Sequence, residues 1–241
     1  MPKIARTPSL AGLVYRVLTA EDTARTHEEY LHVSDLHDLC ARQVFLAKQD
    51  GVTVTRKIDP GMWMRFRMGE QIEDLLCEEV FVKRLDILAE RQPVVRNTDL
   101  KVQGHPDGRM KNGQLLEIKA MAPELFKLSA RYPLPKHQFQ VQTYLFLDEQ
   151  QPTGKLFSCT YGQDKMPFRD IDINFNLKVG EAIKKTVGSL REAEAGGPLP
   201  GRVCQSADDK RALRCPVQQR CFALANPTPA LTIGEALKAD R

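Results

Sequence analysis

The sequence reads GHPD at positions 104–107 and LLEIKA at positions 115–120. The second stretch alternates polar and apolar residues, so Glu117 and Lys119 share one face of a predicted strand while the apolar residues face a core. Asp107 precedes Glu117 across a short turn, which predicts a β-hairpin. Two carboxylates hold a hard divalent cation through oxygen ligands, and a lysine beside them can position or activate a water at a phosphate.

The turn of this hairpin fixes which residues face each other. A three-residue loop at 111–113, with its glycine in the left-handed conformation, pairs Met110 with Gln114 and therefore Asp107 with Glu117. Directly opposed residues project to the same side of a sheet, so the two carboxylates and the lysine would converge. A two-residue Asn-Gly turn would shift the register by one and turn Asp107 to the other face. Alternatively, this stretch is an ordinary amphipathic strand whose charged face is solvated.

A second motif lies upstream, where MGEQIEDLL at 68–76 has the apolar spacing of a helix. Glu73 lies beside the apolar stripe of that helix. Its carboxylate either completes a metal site or is an ordinary solvated side chain.

A third motif lies downstream, in HQFQVQTYLFL at 137–147. Gln140 and Tyr144 are four residues apart and share one helix face, with His137 one turn earlier. This face offers hydrogen-bond donors and a stacking surface to a substrate, or it is the polar side of a buried amphipathic helix.

Taken in order, the four motifs resemble the PD-(D/E)XK nuclease superfamily. The matching positions are Gly69 with Glu73, Gly104 with Asp107, Glu117 with Lys119, and Gln140 with Tyr144. The similarity is greatest to the branch that contains recombination helicase-nuclease domains, CRISPR-associated adaptation nucleases and phage-type exonucleases, and it extends from about Ser34 to Cys221. Many members carry histidine where this chain has Glu73, and a carboxylate there still binds Mg²⁺ or Mn²⁺.

The resemblance implies a metal-dependent exonuclease that hydrolyses phosphodiester bonds of single-stranded DNA or DNA ends, in recombination or DNA processing. The implied metal ligands are Asp107, Glu117 and the carbonyl of Ile118, with help from Glu73. Lys119 would position or activate the attacking water. Gln140 and Tyr144 would hold the strand, with Tyr144 stacking on a base, and His137 would touch a phosphate.

Six cysteines divide into two groups. Cys77 and Cys159 lie in apolar segments and are typical of core thiols. Three cysteines, Cys204, Cys215 and Cys221, fall in a tail that is rich in Arg, Lys, Gln and Pro and has little apolar periodicity, so a metal staple is expected there. Cys40 would be the fourth ligand. No apolar signal segment opens the sequence, so we expect a reducing compartment, where such cysteines bind metal rather than form disulfides.

The cysteine arrangement resembles that of the iron–sulfur members of the same branch. In those proteins, one cysteine ahead of the nuclease core and three behind it hold a 4Fe–4S cluster. The spacing from Cys215 to Cys221 is like theirs, whereas ten residues follow Cys204 where the family usually has two. Four thiolates also suit zinc, and a Cys₄ zinc site stays an alternative.

Composition and element spacing predict one α/β domain, with a central mixed β-sheet flanked by helices. The resemblance implies that the Cys-rich tail closes an iron–sulfur site. The expected divisions are an N-terminal extension (1–33), the nuclease core (34–195), the Cys-rich segment (196–225) and a C-terminal tail (226–241). The expected elements are a helix from a Ser34 cap through Val44, a helix at Met62–Leu88, strands at Lys101–Met110, Gln114–Ala120, Lys155–Tyr161 and Phe168–Ile173, a helix at Lys136–Leu147, and a final helix capped by Asn174.

The net charge of +4 is mildly basic and identifies no partner by itself. No apolar stretch is long enough to span a bilayer, so we expect a cytoplasmic protein, in the host cytoplasm if a phage encodes it. No GxxxxGK[ST] motif is present, so work on long duplexes would require a separate helicase or recombination protein, or a ring around the DNA. The alternative function is a non-catalytic nucleic-acid-binding module with a Cys₄ zinc or iron–sulfur staple.

Overall fold

The computed structural model describes residues 29–52, 55–56, 59–129, 132–149, 152–161, 167–226 and 228–239, together with 10, 13–14, 17–18 and 23–24. Most of the predicted extension 1–33 lies outside them. The described helices are α1 (Val33–Leu36), α2 (Ala41–Gln49), α3 (Pro60–Asp74), α4 (Pro123–Leu128), α5 (Pro135–Asp148), α6 (Leu177–Glu194), α7 (Gln218–Ala223) and α8 (Ile233–Ala239). Helix α3 continues into a π-helical segment, Leu75–Val82, and a 3₁₀ turn spans Ala212–Arg214.

The described strands are β1 (Thr23–Ala24), β2 (Leu31–His32), β3 (Thr55–Arg56), β4 (Leu88–Arg91), β5 (Val95–Asn97), β6 (Val102–Gly104), β7 (Gly108–Met110), β8 (Leu115–Met121), β9 (Thr153–Thr160) and β10 (Phe168–Asn174). One mixed sheet has the order β10-β9-β8-β7-β4, in which β8 and β9 are parallel. A second has the order β2-β6-β5, in which β2 and β6 are parallel. Strands β1 and β3 form a separate antiparallel pair.

The α/β class with helices on a mixed sheet is therefore correct, but the single central sheet was wrong. The predicted strand Lys101–Met110 is divided, because β6 ends at Gly104 in one sheet and β7 begins at Gly108 in the other. Pro106, between them, has no backbone N–H to donate to a ladder. The GHPD segment thus carries the chain from one sheet to the other.

Each face of the five-stranded sheet packs against a core at its central strands, and the edge strand β10 is largely exposed. On one face, α5 and α6 pack in a core that contains Leu115 and also includes residues of the three-stranded sheet. On the other face, the π-helical segment packs in a second core that contains Leu116. Successive residues of β8 point to opposite faces, so these two leucines enter different cores.

Three predicted helix boundaries differ from the structure. The helix expected from Ser34 through Val44 is interrupted after Leu36, and Cys40 is extended, with φ −108° and ψ 100°. The helix that was expected to reach Leu88 ends at Val82, and Leu88 is instead the first residue of strand β4. Helix α6 is capped by Asn176, whose Oδ1 accepts from the backbone N–H of Lys178 at 3.0 Å, since the predicted cap, Asn174, is still in β10.

Among the residues that the structure describes, no helix has the length and apolar character needed to cross a membrane.

Candidate active site

The hairpin at the centre of the site has the predicted register. Strand β7 pairs with β8 so that Gly108 faces Leu116, and the backbone N–H of Met110 donates to the carbonyl of Gln114 at 2.8 Å. The turn glycine, Gly113, has φ +89°, in the region that favours glycine. One step further along the same register, Asp107 lies opposite Glu117, and their side chains project to one side.

Within this hairpin, each of the two carboxylates has one close partner. Asp107 Oδ2 accepts from the backbone N–H of Ile118 at 2.5 Å. Glu117 Oε1 accepts from Lys119 Nζ. The Glu117 side chain is only 2% exposed, and its second oxygen, Oε2, is buried with no hydrogen-bond partner. A buried carboxylate oxygen without a donor is costly, which makes this atom a natural ligand for a cation.

Helix α3 supplies the third carboxylate. Glu73 Oε1 accepts from Arg91 Nη1 and from Gln92 Nε2, both at 3.3 Å. Arg91 Nη2 also donates to Asp74 at 2.8 Å. These contacts tie the end of the helix to the end of β4. The charge of Glu73 raises the pKa of both hairpin carboxylates, as expected of a neighbour on the same site.

Burial dominates the electrostatics of the site. It is the main cause that raises the pKa of Asp107 well above its usual range, and the charge of Glu117 adds to it. Burial also raises the pKa of Glu117, against the lowering effect of Lys119. The surrounding carboxylates outweigh the burial of Lys119 and raise the pKa of its ammonium group. The three carboxylates face two cations, Lys119 and the Arg91 guanidinium that binds Glu73, and the remaining negative charge favours binding of a further cation.

Helix α5 faces the hairpin with the glutamine and tyrosine of its motif. Gln140 Nε2 donates to the Tyr144 hydroxyl at 2.8 Å, and that hydroxyl donates to the carbonyl of His105 at 3.3 Å. The tyrosine ring fits closely over Gly104, where an added Cβ would lie 2.6 Å from Cε1. Because the ring is only 4% exposed, it has no free face for a base, and the predicted stacking role of Tyr144 was wrong.

His137 lies one turn before Gln140 on α5. Burial, followed by the charges of Lys119 and Lys136, lowers the pKa of His137 to about 4. The imidazole is therefore neutral at neutral pH, and it can exchange hydrogen bonds with a phosphate but does not bring a positive charge to it.

The four cysteines predicted to bind a metal group line one cavity of about 340 Å³. Burial is the main cause that raises the pKa of the Cys204 thiol to about 11, and the thiols of Cys40 and Cys215 add to it. Cys221 in turn adds to the raised pKa of Cys40. The fold thus places the Cys40 thiol beside cysteines that lie more than 160 residues further along the chain. Cys77 and Cys159 are buried in the core, as predicted.

Within the described ranges, no three His, Cys, Asp or Glu side chains stand in an arrangement ready to hold a metal ion. Each hairpin carboxylate accepts a hydrogen bond through one oxygen, Asp107 Oδ2 from the Ile118 N–H and Glu117 Oε1 from Lys119, and Glu117 Oε2 has no partner. Both donor sets still fit their metals chemically: hard oxygens for Mg²⁺ or Mn²⁺, and thiolates for iron or zinc.

Two arginines were missed by the sequence analysis. Arg91 holds Glu73, and its position at the end of β4 gave no signal of that contact. Arg42 is 0% exposed, and its guanidinium donates to the carbonyls of Pro200, Cys221, Leu224 and Ala225 at 2.9–3.3 Å. It joins α2 to the cysteine tail. Arginine is rarely fully buried, so composition argued against this role.

Comparison with known proteins shows that this chain is similar in fold to solved exonuclease structures, at low sequence identity. No protein-family profile matches the sequence, and no curated protein matches it. The structure is similar to an alkaline exonuclease, LHK-Exo, from Laribacter hongkongensis, with TM-score 0.52 and 16% identity over 76% of this chain and 93% of that chain. LHK-Exo in complex with dAMP gives TM-score 0.51 and 14% identity over 70% and 89%. A phage-related exonuclease from Haemophilus somnus 129PT gives TM-score 0.49 and 11% identity over 68% and 92%. The chain therefore shares the α/β fold of the alkaline exonuclease.

Proposed function

We propose that this chain is a metal-dependent deoxyribonuclease that degrades single-stranded DNA or DNA ends as an exonuclease. The observation that carries the proposal is the convergence of Glu73, Asp107 and Glu117 around Lys119, with one buried oxygen of Glu117 left without a partner. The fold shared with an alkaline exonuclease supports it.

The oxygen donors fit Mg²⁺ or Mn²⁺. Asp107, Glu117 and the Ile118 carbonyl would hold the ion, with Glu73 assisting. The N–H and C=O of one strand residue point to the same side, so the Ile118 carbonyl points toward Asp107 as its N–H does. When bound, such an ion lowers the pKa of a water and offsets charge that develops on the phosphate.

The remaining side chains hold the substrate. Lys119 stays protonated because three carboxylates surround it, so it can hold a phosphate oxygen or orient the attacking water. Gln140 and the Tyr144 hydroxyl present polar groups to the strand from α5. His137, neutral at pH 7, hydrogen bonds to a phosphate oxygen through its ring N–H.

The test is digestion of end-labelled linear and circular single-stranded DNA with Mn²⁺ or Mg²⁺. We expect the linear strand to be degraded and the circle to survive. Glu117→Gln and Lys119→Met should each lower the rate by roughly 10²-fold or more, the usual cost of losing an electrostatic group from an active site. Glu192→Gln, which removes an exposed carboxylate of α6, is the control. Full activity in the Glu117 and Lys119 variants would reject the assignment, and cleavage of the circle would indicate an endonuclease.

We also propose that Cys40, Cys204, Cys215 and Cys221 hold a structural 4Fe–4S cluster. The four line one cavity, and the resemblance to the iron–sulfur members of the nuclease branch favours the cluster over zinc. The same cavity is lined by Arg202, Lys210, Arg211 and Arg214, of which Arg211 is paired with Asp209 and Glu235, and the remaining positive charge suits an anionic thiolate-ligated group. Anaerobically purified protein should be brown and contain iron, and Cys215→Ser should lose both while Cys159→Ser keeps them. Colourless protein with stoichiometric zinc would overturn the cluster.

A partner and a location complete the proposal. The sequence has no nucleoside triphosphate motor motif, so a separate helicase or recombination protein would supply single strands from long duplexes in the cytoplasm. Resection of blunt duplex DNA should increase when such a helicase and ATP are added. An equal rate with and without the helicase would remove the need for that partner.

A further inference from the structure

Helix α3 carries an exposed apolar stripe on the side away from the carboxylate site. Met64, Met68 and Leu75 are 50%, 40% and 58% exposed. They follow one another at intervals of four and seven residues, which places them on one face over about 16 Å of helix. Glu73 comes nine residues after Met64, which is two and a half turns, so it lies on the opposite side of the helix.

This helix buries little of its own surface. None of the 15 residues of α3 is buried, and Ile72, which packs against the second core, is only partly so. A helix of this length is marginal in water unless its apolar face packs against another surface, and an interior glycine, Gly69, weakens it further. The physical chemistry of α3 therefore calls for a partner that covers the stripe.

The spacing of the stripe is that of a seam between two helices. Positions 64, 68, 71 and 75 follow one another at intervals of four, three and four, as the a and d residues of a coiled coil do. Gln71 is the polar member of this seam. Arg67 and Asp74 are seven residues apart and occupy equivalent positions beside it.

The charges beside the seam decide which partner fits it. Both Arg67 and Asp74 are more than half exposed, and each already has a neighbour of opposite charge, Glu70 for Arg67 and Arg91 for Asp74. Such exposed pairs are weak, so they can be shared with a new neighbour. In two antiparallel copies of α3, Arg67 of each copy faces Asp74 of the other, whereas in two parallel copies each charge meets its like. The face is thus complementary to itself.

We propose that α3 is the contact between two copies of this chain, which lie antiparallel about a two-fold axis near Gly69. Met64 of one copy then packs against Leu75 of the other, and the two Met68 side chains lie beside the axis. Glu73 of each copy points away from the contact, so both carboxylate sites stay open. The inference is independent of the proposed nuclease function, because it concerns the other side of the helix.

The test is the mass of the full chain in solution, measured by analytical ultracentrifugation over a range of protein concentrations. A pair has twice the 27.2 kDa of one chain, about 54 kDa. Leu75→Asp places a charge in the apolar seam and should weaken association roughly 10-fold or more. Leu177→Asp is the matched control, because Leu177 is an exposed leucine of α6, and it should leave the mass unchanged.

Arg67→Asp and Asp74→Arg test the antiparallel arrangement. Each variant alone carries one sign of charge at both positions, so its copies should repel one another and sediment as monomers. Mixed in equal amounts, the two variants should recover the mass of a pair, because every acidic position then faces a basic one. Circular dichroism checks that each variant folds.

Three results would overturn the inference. They are a wild type that is monomeric at every concentration or forms a trimer, a Leu75→Asp variant that associates as the wild type does, and a mixture of the two charge variants that stays monomeric. None of them bears on cleavage of DNA, so the nuclease function is tested separately.

Discussion

Gly104→Ala should destabilise the protein by crowding the point where the two sheets meet. The added methyl would lie 2.6 Å from Tyr144 Cε1 and 2.7 Å from Val33 Cγ2. Both neighbours are almost completely buried, so neither can swing into solvent. Gly104 has no positive φ, so the cost is one of contact and not of backbone strain.

The magnitude follows from the packing. One excess methyl in a closed core costs about 1–3 kcal/mol. Replacing glycine with alanine recovers about 0.4–1 kcal/mol by restricting the unfolded chain. The net loss should therefore be about 1–2 kcal/mol of the free energy of unfolding. For a chain of this length that corresponds to a Tm lower by about 2–8 °C.

The assay is urea unfolding followed by circular dichroism, with Gly188→Ala as the control. Gly188 lies in α6, and an added Cβ there meets no atom within 4 Å. The control should gain about 0.5–1 kcal/mol, the helix penalty of glycine. The reasoning is refuted if Gly104→Ala is as stable as the wild type while the control behaves as expected.

A double-mutant cycle locates the clash. Combining Gly104→Ala with Val33→Ala removes one of the two crowded atoms. The pair should show a favourable coupling of about 0.5 kcal/mol or more, because the second change makes room for the first. Additive effects would place the damage somewhere other than this contact.

Three further outcomes are expected. Asp107→Asn should raise the free energy of unfolding in EDTA at pH 7 and above by about 0.5–2 kcal/mol, since burial and a like charge raise the pKa of this carboxyl and make its ionised form unfavourable in the folded state. The same change should abolish cleavage and reduce the rise in Tm that Mn²⁺ produces in the wild type. Arg42→Met removes the guanidinium from four carbonyls, of which those of Pro200 and Cys221 are buried, and should cost on the order of 3 kcal/mol, with trypsin cutting the 196–226 tail first. His137 has a folded pKa of about 4 against 6.5, so it contributes stability above pH 6.5 that is lost as the pH falls toward 4. His137→Gln should flatten the dependence of urea midpoint on pH across that window.

The sequence predicted those parts of the site that depend on local rules. The three-residue turn with its glycine sets the hairpin register, and alternation along β8 sets the face, so the opposition of Asp107 and Glu117 could be derived from about a dozen residues. The four-residue spacing of Gln140 and Tyr144 likewise predicted that they share one helix face, and in the structure Gln140 Nε2 donates to the Tyr144 hydroxyl there.

What the sequence did not predict depends on distant contacts. Lys136 binds Asp38 at 2.8 Å across 98 residues, and Arg42 binds the tail across more than 150. Arg91 meets Glu73 across eighteen residues. No spacing rule connects such pairs, because only the packed helices and sheets bring them together.

The GHPD segment shows why fold and proposed chemistry coincide here. Its glycine admits the Tyr144 ring, and its proline ends the ladder between the two sheets. Its aspartate then lies opposite Glu117, where its neighbours disfavour its ionised form. A carboxylate in such a place weakens the fold unless a cation accompanies it, so retaining it makes physical sense where a cation binds. The strength of the proposed metal site and the weakness of the metal-free protein therefore have the same origin, the burial of like charges on adjacent strands.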